Sequence, residues 1–210
     1  MAAHVRTSAF VGLALVAAVT AGCSGSGSSA SKSPPASGSP SSSSVAGVQN
    51  NATPTESNPP GDIPDNQVYV PFHKTGFTVK VPEGWARTQR DGTTAFTDKL
   101  NTVQIQTASV PTAPTVGDVT KTVVPQLRGQ VPKFAAPKVS EVTRHAGRVV
   151  LLTYQGDSAK NQVTGKVVRD AFERYAFYRS GHEVDLTLSG PVNADNVDPW
   201  RIISDSFAWR

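Results

Sequence analysis

Gly76-Phe77-Thr78-Val79-Lys80-Val81-Pro82-Glu83-Gly84-Trp85 is the stretch that decides the fold. Phe77, Val79 and Val81 alternate with Thr78 and Lys80, a period of two that puts the apolar side chains on one face of a half-buried strand. Pro82-Glu83-Gly84-Trp85 then closes the strand with a turn, because proline cannot donate to a ladder and glycine takes turn conformations freely.

This texture begins at Gln67 and runs to the end of the chain. Ala95 to Thr97 reads as a short strand. Val103 and Ile105, set between Thr102, Gln104 and Gln106, make a longer one that Pro111 and Pro114 end. Further strands are predicted over 138–145, 148–156 and 163–179. Val184, Leu186 and Leu188, alternating with Glu183, Asp185 and Thr187, make the last, and Ser180-Gly181 supplies a hairpin turn before it. Arg148 to Tyr154 is apolar on both faces, which predicts a central strand covered on two sides.

Two helices interrupt the pattern. Thr115 followed by Asp118 is a helix-start signal, and Val116, Val119, Val123 and Leu127 follow at helical spacing, predicting a helix over 116–128. Pro125 predicts a kink or an early end there, since it lacks the backbone donor and crowds the preceding turn. Asp198-Pro199 predicts an N-cap with a first-turn proline, and Trp200, Ile203 and Phe207 form an apolar stripe that packs on the sheet. The fold class read from these elements is α+β, a twisted antiparallel sheet flanked by helices.

The front of the chain is of another kind. His4 and Arg6 form a basic start, Ala9 to Val19 an apolar run, and Thr20-Ala21-Gly22-Cys23 a small-residue cleavage site, the anatomy of a secretory signal. The run is too short to span a bilayer as a mature helix, which takes about 20 apolar residues. Cys23 is the one cysteine of the 210-residue chain, so it cannot form an internal disulfide. From Ser24 to about Asn66 the sequence is Ser, Pro, Gly, Ala and Asn with almost no large apolar residue, a composition that cannot offset its own ordering entropy and acts as a tether. The domain plan is therefore residues 1–22 as signal, 23–66 as anchor and tether, and 67–210 as the folded domain.

Thr20-Ala21-Gly22-Cys23 resembles the lipobox of bacterial lipoproteins, with Thr20 where the pattern usually has leucine. That resemblance implies diacylglycerol on the Cys23 thiol, cleavage just before it, and lipid anchoring at the outer face of the cell membrane. The competing readings are an ordinary secretory signal or a retained N-terminal helix. A diacyl anchor buries many methylenes at about 0.8 kcal/mol each, enough for stable attachment.

The Gly76 to Trp85 stretch, with the terminal Trp200-Arg201-Ile202-Ile203-Ser204-Asp205-Ser206-Phe207, resembles the PsbP/Mog1-like fold, and within it the actinobacterial LpqN-type lipoproteins. The resemblance spans about Gln67 to Arg210. It implies noncatalytic work in the envelope, either docking on transporters or secretion machinery or holding envelope lipids, with no catalytic motif and no cofactor to carry over.

The net charge of +4 is mild, and the basic residues are spread singly among acids, which excludes a dedicated nucleic-acid binder. His73, His145 and His182 are isolated and lack the paired spacing of a metal site. Ser29-Ala30-Ser31-Lys32 fits a Ser-x-x-Lys pattern but falls in the tether, and Gly156-Asp157-Ser158 reads as hairpin chemistry rather than a nucleophile turn. Glu183 and Asp185 share a strand face about 7 Å apart, the spacing of a paired-carboxylate glycosidase, but alternate solvent-facing acids are ordinary on strands. The best surface for a partner or acidic headgroup is the long strand's mixture of Arg169, Phe172, Arg174, Tyr175, Phe177 and Tyr178, with Trp85 as a second candidate whose ordinary role is a core lid. An envelope binding or accessory module is the leading expectation. An envelope hydrolase acting on wall polymers or lipids is the alternative.

Overall fold

The structure is a computed structural model that describes residues 60–160 and 165–210. The signal, Cys23, the Ser29 to Lys32 pattern and most of the tether lie outside the described residues.

Two antiparallel sheets organise the domain. A three-stranded sheet holds β1 (Tyr69–Lys74), β2 (Phe77–Pro82) and β10 (Ala208–Trp209) in the order β1-β2-β10. A seven-stranded sheet holds β3 (Ala86–Arg90), β4 (Thr93–Asp98), β5 (Asn101–Ser109), β6 (Ala135–Arg144), β7 (Gly147–Asp157), β8 (Arg169–Arg179) and β9 (His182–Pro191). Their order is β3-β4-β5-β9-β8-β7-β6. This is an α+β fold built on antiparallel pairing, as the alternation of the sequence predicts.

One face of the large sheet meets the small sheet and the helix α3 (Val197–Asp205). Val103, Ile105, Val149, Leu151, Tyr175, Phe177, Val184, Leu186 and Leu188 point that way, onto Phe77, Val79, Val81, Ile203 and Phe207. The Phe207 ring stacks between Phe177, with centroids 3.9 Å apart, and Phe77, at 5.2 Å. Such aromatic pairs add about 0.5–1.5 kcal/mol beyond the area they bury. The opposite face of the sheet is covered only along β6 to β8, where Val119 and Val124 of the 116–130 helical run pack on Val150, Leu152, Tyr154 and Ala176.

That helical run starts with a full capping box: the Thr115 hydroxyl accepts from the Asp118 amide, and the Asp118 carboxylate accepts from the Thr115 amide. Its segments are α1 (Val116–Asp118), a π-turn over Val119–Val123, and α2 (Val124–Gln130). The π-turn sits directly ahead of Pro125, and the widened turn makes room for the ring and its missing donor. The kink expected at Pro125 takes this form, and the helix runs on to Gln130 instead of ending early.

Five sequence expectations are corrected. Arg148 to Tyr154 is covered on both faces, but β7 is the second strand from an edge rather than a central one. The strand expected from 163 starts at Arg169, and Gly156 and Asp157 end β7 rather than turn a hairpin. The N-cap of α3 is Asn196, two residues before Asp198. The packed domain also begins ahead of Gln67, because Ile63 is 3% exposed in the core. Asn196 holds that segment: its side chain accepts from the Ile63 amide and donates to the Gly61 carbonyl and to Asn101. Asn101 donates to the Gly61 carbonyl as well.

Candidate functional site

At the far end of the large sheet from Asn101 lies a groove of about 590 Å³. Two hairpin tips frame it. The β1–β2 turn is a two-residue connection with Lys74 opposite Phe77 and Gly76 at a φ of 88°, a left-handed conformation that suits glycine. The β8–β9 turn places Arg179 opposite His182, with Ser180 and Gly181 at φ values of 49° and 85°, the geometry of a type I′ hairpin. The Arg210 amide donates to the Gly76 carbonyl, and the Val110 amide to the Gly181 carbonyl, so each tip is tied to its neighbouring strand end.

Period-two alternation sorts what the groove sees. Val184 and Phe77 form its floor at 2% and 1% exposure, and half-buried Trp209 stands edge-on to Phe207 beside them. Lys74, Arg179, His182 and Arg210 supply its polar lining, with Thr107 and Ser109 from β5. Glu183 borders the groove through its backbone, because its side chain points through the opposite face of the sheet, where Arg174 lies. The Lys74 ammonium donates to the Gly92 carbonyl. Among the described residues, the Arg179 and Arg210 guanidiniums have neither an ion pair nor a hydrogen bond.

The opposite face carries a second constellation. Arg174 donates to Asp185 at 2.5 Å and lies 3.8 Å from Glu183, all three side chains being about 14% exposed or less. Burial, and then the Asp185 charge, push Glu183 up to about 7, against the opposing pull of Arg174. Burial also raises Asp185. The two carboxyls face the one Arg174 guanidinium, and burial together with their mutual repulsion disfavours charge on both at once. One Asp185 oxygen, Oδ1, is buried with no partner among the described residues. The expectation that these acids face solvent is corrected: the Arg174 guanidinium folds them down onto the sheet.

The aromatic-basic strand does not present itself as a surface. Tyr175 and Phe177 are core residues at 1% and 0% exposure, because their face of β8 meets the small sheet. The Tyr175 hydroxyl donates to Glu173 at 2.5 Å and accepts from Arg144 at 2.9 Å. Arg174 is spent on the two acids. Arg169 pairs with Asp157 and donates to the Lys133 carbonyl. Phe172 stacks on Tyr154 with centroids 4.5 Å apart beside the helical run, and the Tyr178 hydroxyl bridges the Pro111 carbonyl and the Gly181 amide. Trp85 is half-buried against the core, the lid role rather than a free contact. Arg179, one residue beyond the candidate set, is the basic residue of this strand left without a partner.

His73 and His182 are exposed at their hairpins, and His145 is exposed in the β6–β7 turn. No cluster of three or more His, Cys, Asp or Glu that suits a metal occurs among the described residues. The Ser158 hydroxyl accepts from the Val168 amide and donates to the Ala159 carbonyl. No helix among the described residues is long and apolar enough to cross a membrane.

The class defined by these observations is an α+β domain with two antiparallel sheets and a basic groove at their open end. No protein-family model matches the chain, and no curated protein matches it in sequence. Solved structures similar to it include the following three. Cyanobacterial PsbP (CyanoP) from Synechocystis sp. PCC 6803 shares 14% identity at a TM-score of 0.48, over 71% of this chain and 98% of that one. LpqN of Mycobacterium tuberculosis, involved in cell envelope biogenesis, shares 16% identity at a TM-score of 0.42, over 69% and 92%. PA94 from Pseudomonas aeruginosa, a protein of unknown function, shares 16% identity at a TM-score of 0.36, over 59% and 83%.

Proposed function

We propose that this chain is an envelope accessory protein that works by binding rather than by catalysis. It is exported, anchored through diacylglycerol on Cys23, and held by its tether at the outer face of the membrane. Its partner is an envelope lipid or a segment of the transport or secretion machinery. The observation that carries the reading is the groove of about 590 Å³, whose apolar floor and polar rim have the size and make-up of ligand sites.

The alternative, an envelope hydrolase, draws on one observation. Glu183 and Asp185 together hold a proton near neutral pH, the arrangement from which a general acid and its carboxylate partner are made. The clamp by Arg174 and the turn of both acids away from the groove favour a structural role for the pair.

Native mass spectrometry of the full chain, purified after contact with envelope extract, tests the choice. A retained lipid or a co-purifying envelope protein supports the binder. Clean apoprotein, together with a hydrolysis that Glu183→Gln abolishes, establishes the enzyme. Mass analysis of the mature N-terminus checks the anchor: cleavage before Cys23 with an added diacylglycerol is expected, and an unmodified Cys23 removes it.

A further inference from the structure

The large sheet separates charge by sign across its thickness. Along β9, Glu183 and Asp185 point to one face, where Arg174 lies across from them. Along the same hairpin, Arg179 and His182 are cross-strand partners and therefore share the other face, at the groove. The side-chain carboxylate nearest the groove in sequence, Glu183, is thus withdrawn to the far side. The rim is left with Arg179 and Arg210, both exposed and both without an anionic partner among the described residues.

An unpaired guanidinium beside apolar surface is the setting in which an incoming anion gains most. Its fork of donors matches the oxygens of phosphate or carboxylate, and such charge-assisted bonds are roughly twice as strong as neutral ones. The floor asks for something else. Trp209, half-buried over the buried Phe77 and Val184, offers apolar area at the end of the core, which an inorganic ion cannot cover.

We infer that the groove receives an amphiphile with one anionic head, a phosphate or carboxylate held by Arg179 and Arg210, and an apolar tail laid against Trp209. This narrows the ligand of the binding reading above and rests on it. Lys74, already donating to the Gly92 carbonyl, bounds the head on the side of the β1–β2 turn.

The test titrates the full chain with three probes below their aggregation thresholds: dodecyl phosphate, a neutral dodecyl tri(ethylene glycol) ether, and inorganic phosphate. Calorimetry gives affinities, and tryptophan fluorescence reports on Trp209. Dodecyl phosphate is expected to bind at least about ten-fold more tightly than either other probe, a gap that raising the salt narrows. The double variant Arg179→Gln with Arg210→Gln is expected to bring dodecyl phosphate down to the affinity of the neutral ether, leaving the ether itself unchanged. Trp209→Leu is expected to weaken both alkyl probes and to remove the fluorescence response. Equal binding of the phosphate and the neutral ether overturns the anionic head. Equal binding of dodecyl phosphate and inorganic phosphate overturns the tail and assigns the rim to a soluble phosphate ester. No binding of either alkyl probe overturns the groove as a ligand site, and with it the reading on which the inference rests.

Discussion

Strands β5 and β9 run between two ends of the domain that are built on opposite plans. At one end, Asn101 and Asn196 hydrogen-bond each other and converge on the Gly61 carbonyl, all of it buried. The backbone of Gly190 passes so close that an added Cβ would lie 2.3 Å from the Asn101 side-chain oxygen. At the other end these strands lie beside the β8–β9 turn and the last strand, where Arg179 and Arg210 have no partners among the described residues. Polar groups are spent on order at the first end and kept available at the second. The difference shows where this domain can change its surface without losing its fold.

The largest effect should come from opening the closed end. Asn196→Leu leaves the Ile63 amide and the Asn101 Oδ1 without partners, and stability is expected to fall by about 3 kcal/mol, since each orphaned buried polar group costs roughly 1–3 kcal/mol. Chemical denaturation reads the loss directly. A fall below about 1 kcal/mol would mean the clamp is not a structural lock. Gly190→Ala should cost about 2 kcal/mol by crowding the same clamp, within the usual range for overpacking. Thermal melts that leave it at the parental value would show that the Asn101 side chain can step aside.

A third effect belongs to the face behind the groove. Burial raises Glu183 from 4.5 to about 7, so the folded chain holds a proton that the unfolded chain releases in that window. The native state then binds more protons, and stability falls as pH rises between those values, by on the order of 1–2 kcal/mol. Glu183→Gln should flatten that part of the pH profile. Persistence of the full slope in the variant would move the proton to another group, Asp170 being the first to examine, because burial and the Asp157 charge raise it to about 6. The smallest effect is expected at the open end. Arg179→Gln with Arg210→Gln should shift stability by no more than about 0.5 kcal/mol, as for surface positions without partners. A larger loss would show that the rim is part of the lock and not a free surface.

The strands with clean alternation were legible in the sequence because each has one face on the core. Phe77 to Val81, Val103 to Ile105 and Val184 to Leu188 fall in this group, as does the capping box at Thr115. Strand β3 was not legible. Ala86-Arg87-Thr88-Gln89-Arg90 is exposed throughout and is held by pairing to β4, so it carries no apolar signature. In the long strand, alternation separates Arg174 from Tyr175 but does not tell which face another layer covers. Aromatic residues read as a contact surface therefore belong to the core. The groove was illegible for a further reason. Lys74, Arg179 and Trp209 lie far apart in the chain, and tertiary folding of two hairpin tips brings them to one site. The nearest local cue was the short alternation Phe207-Ala208-Trp209-Arg210, which pairs with β2 as the last strand.

The Asn101 and Asn196 clamp has a mechanical consequence. Any tension transmitted along the chain from the residues before Pro60 enters the folded unit at Gly61 and Ile63, ahead of the first strand. The load falls on a few short hydrogen bonds reaching in from β5 and from the start of α3, while the ladder between β1 and β2 stays in its shadow. Pulling on the folded unit from its N-terminal side is therefore expected to load this corner first, ahead of the β1–β2 ladder and far from the groove.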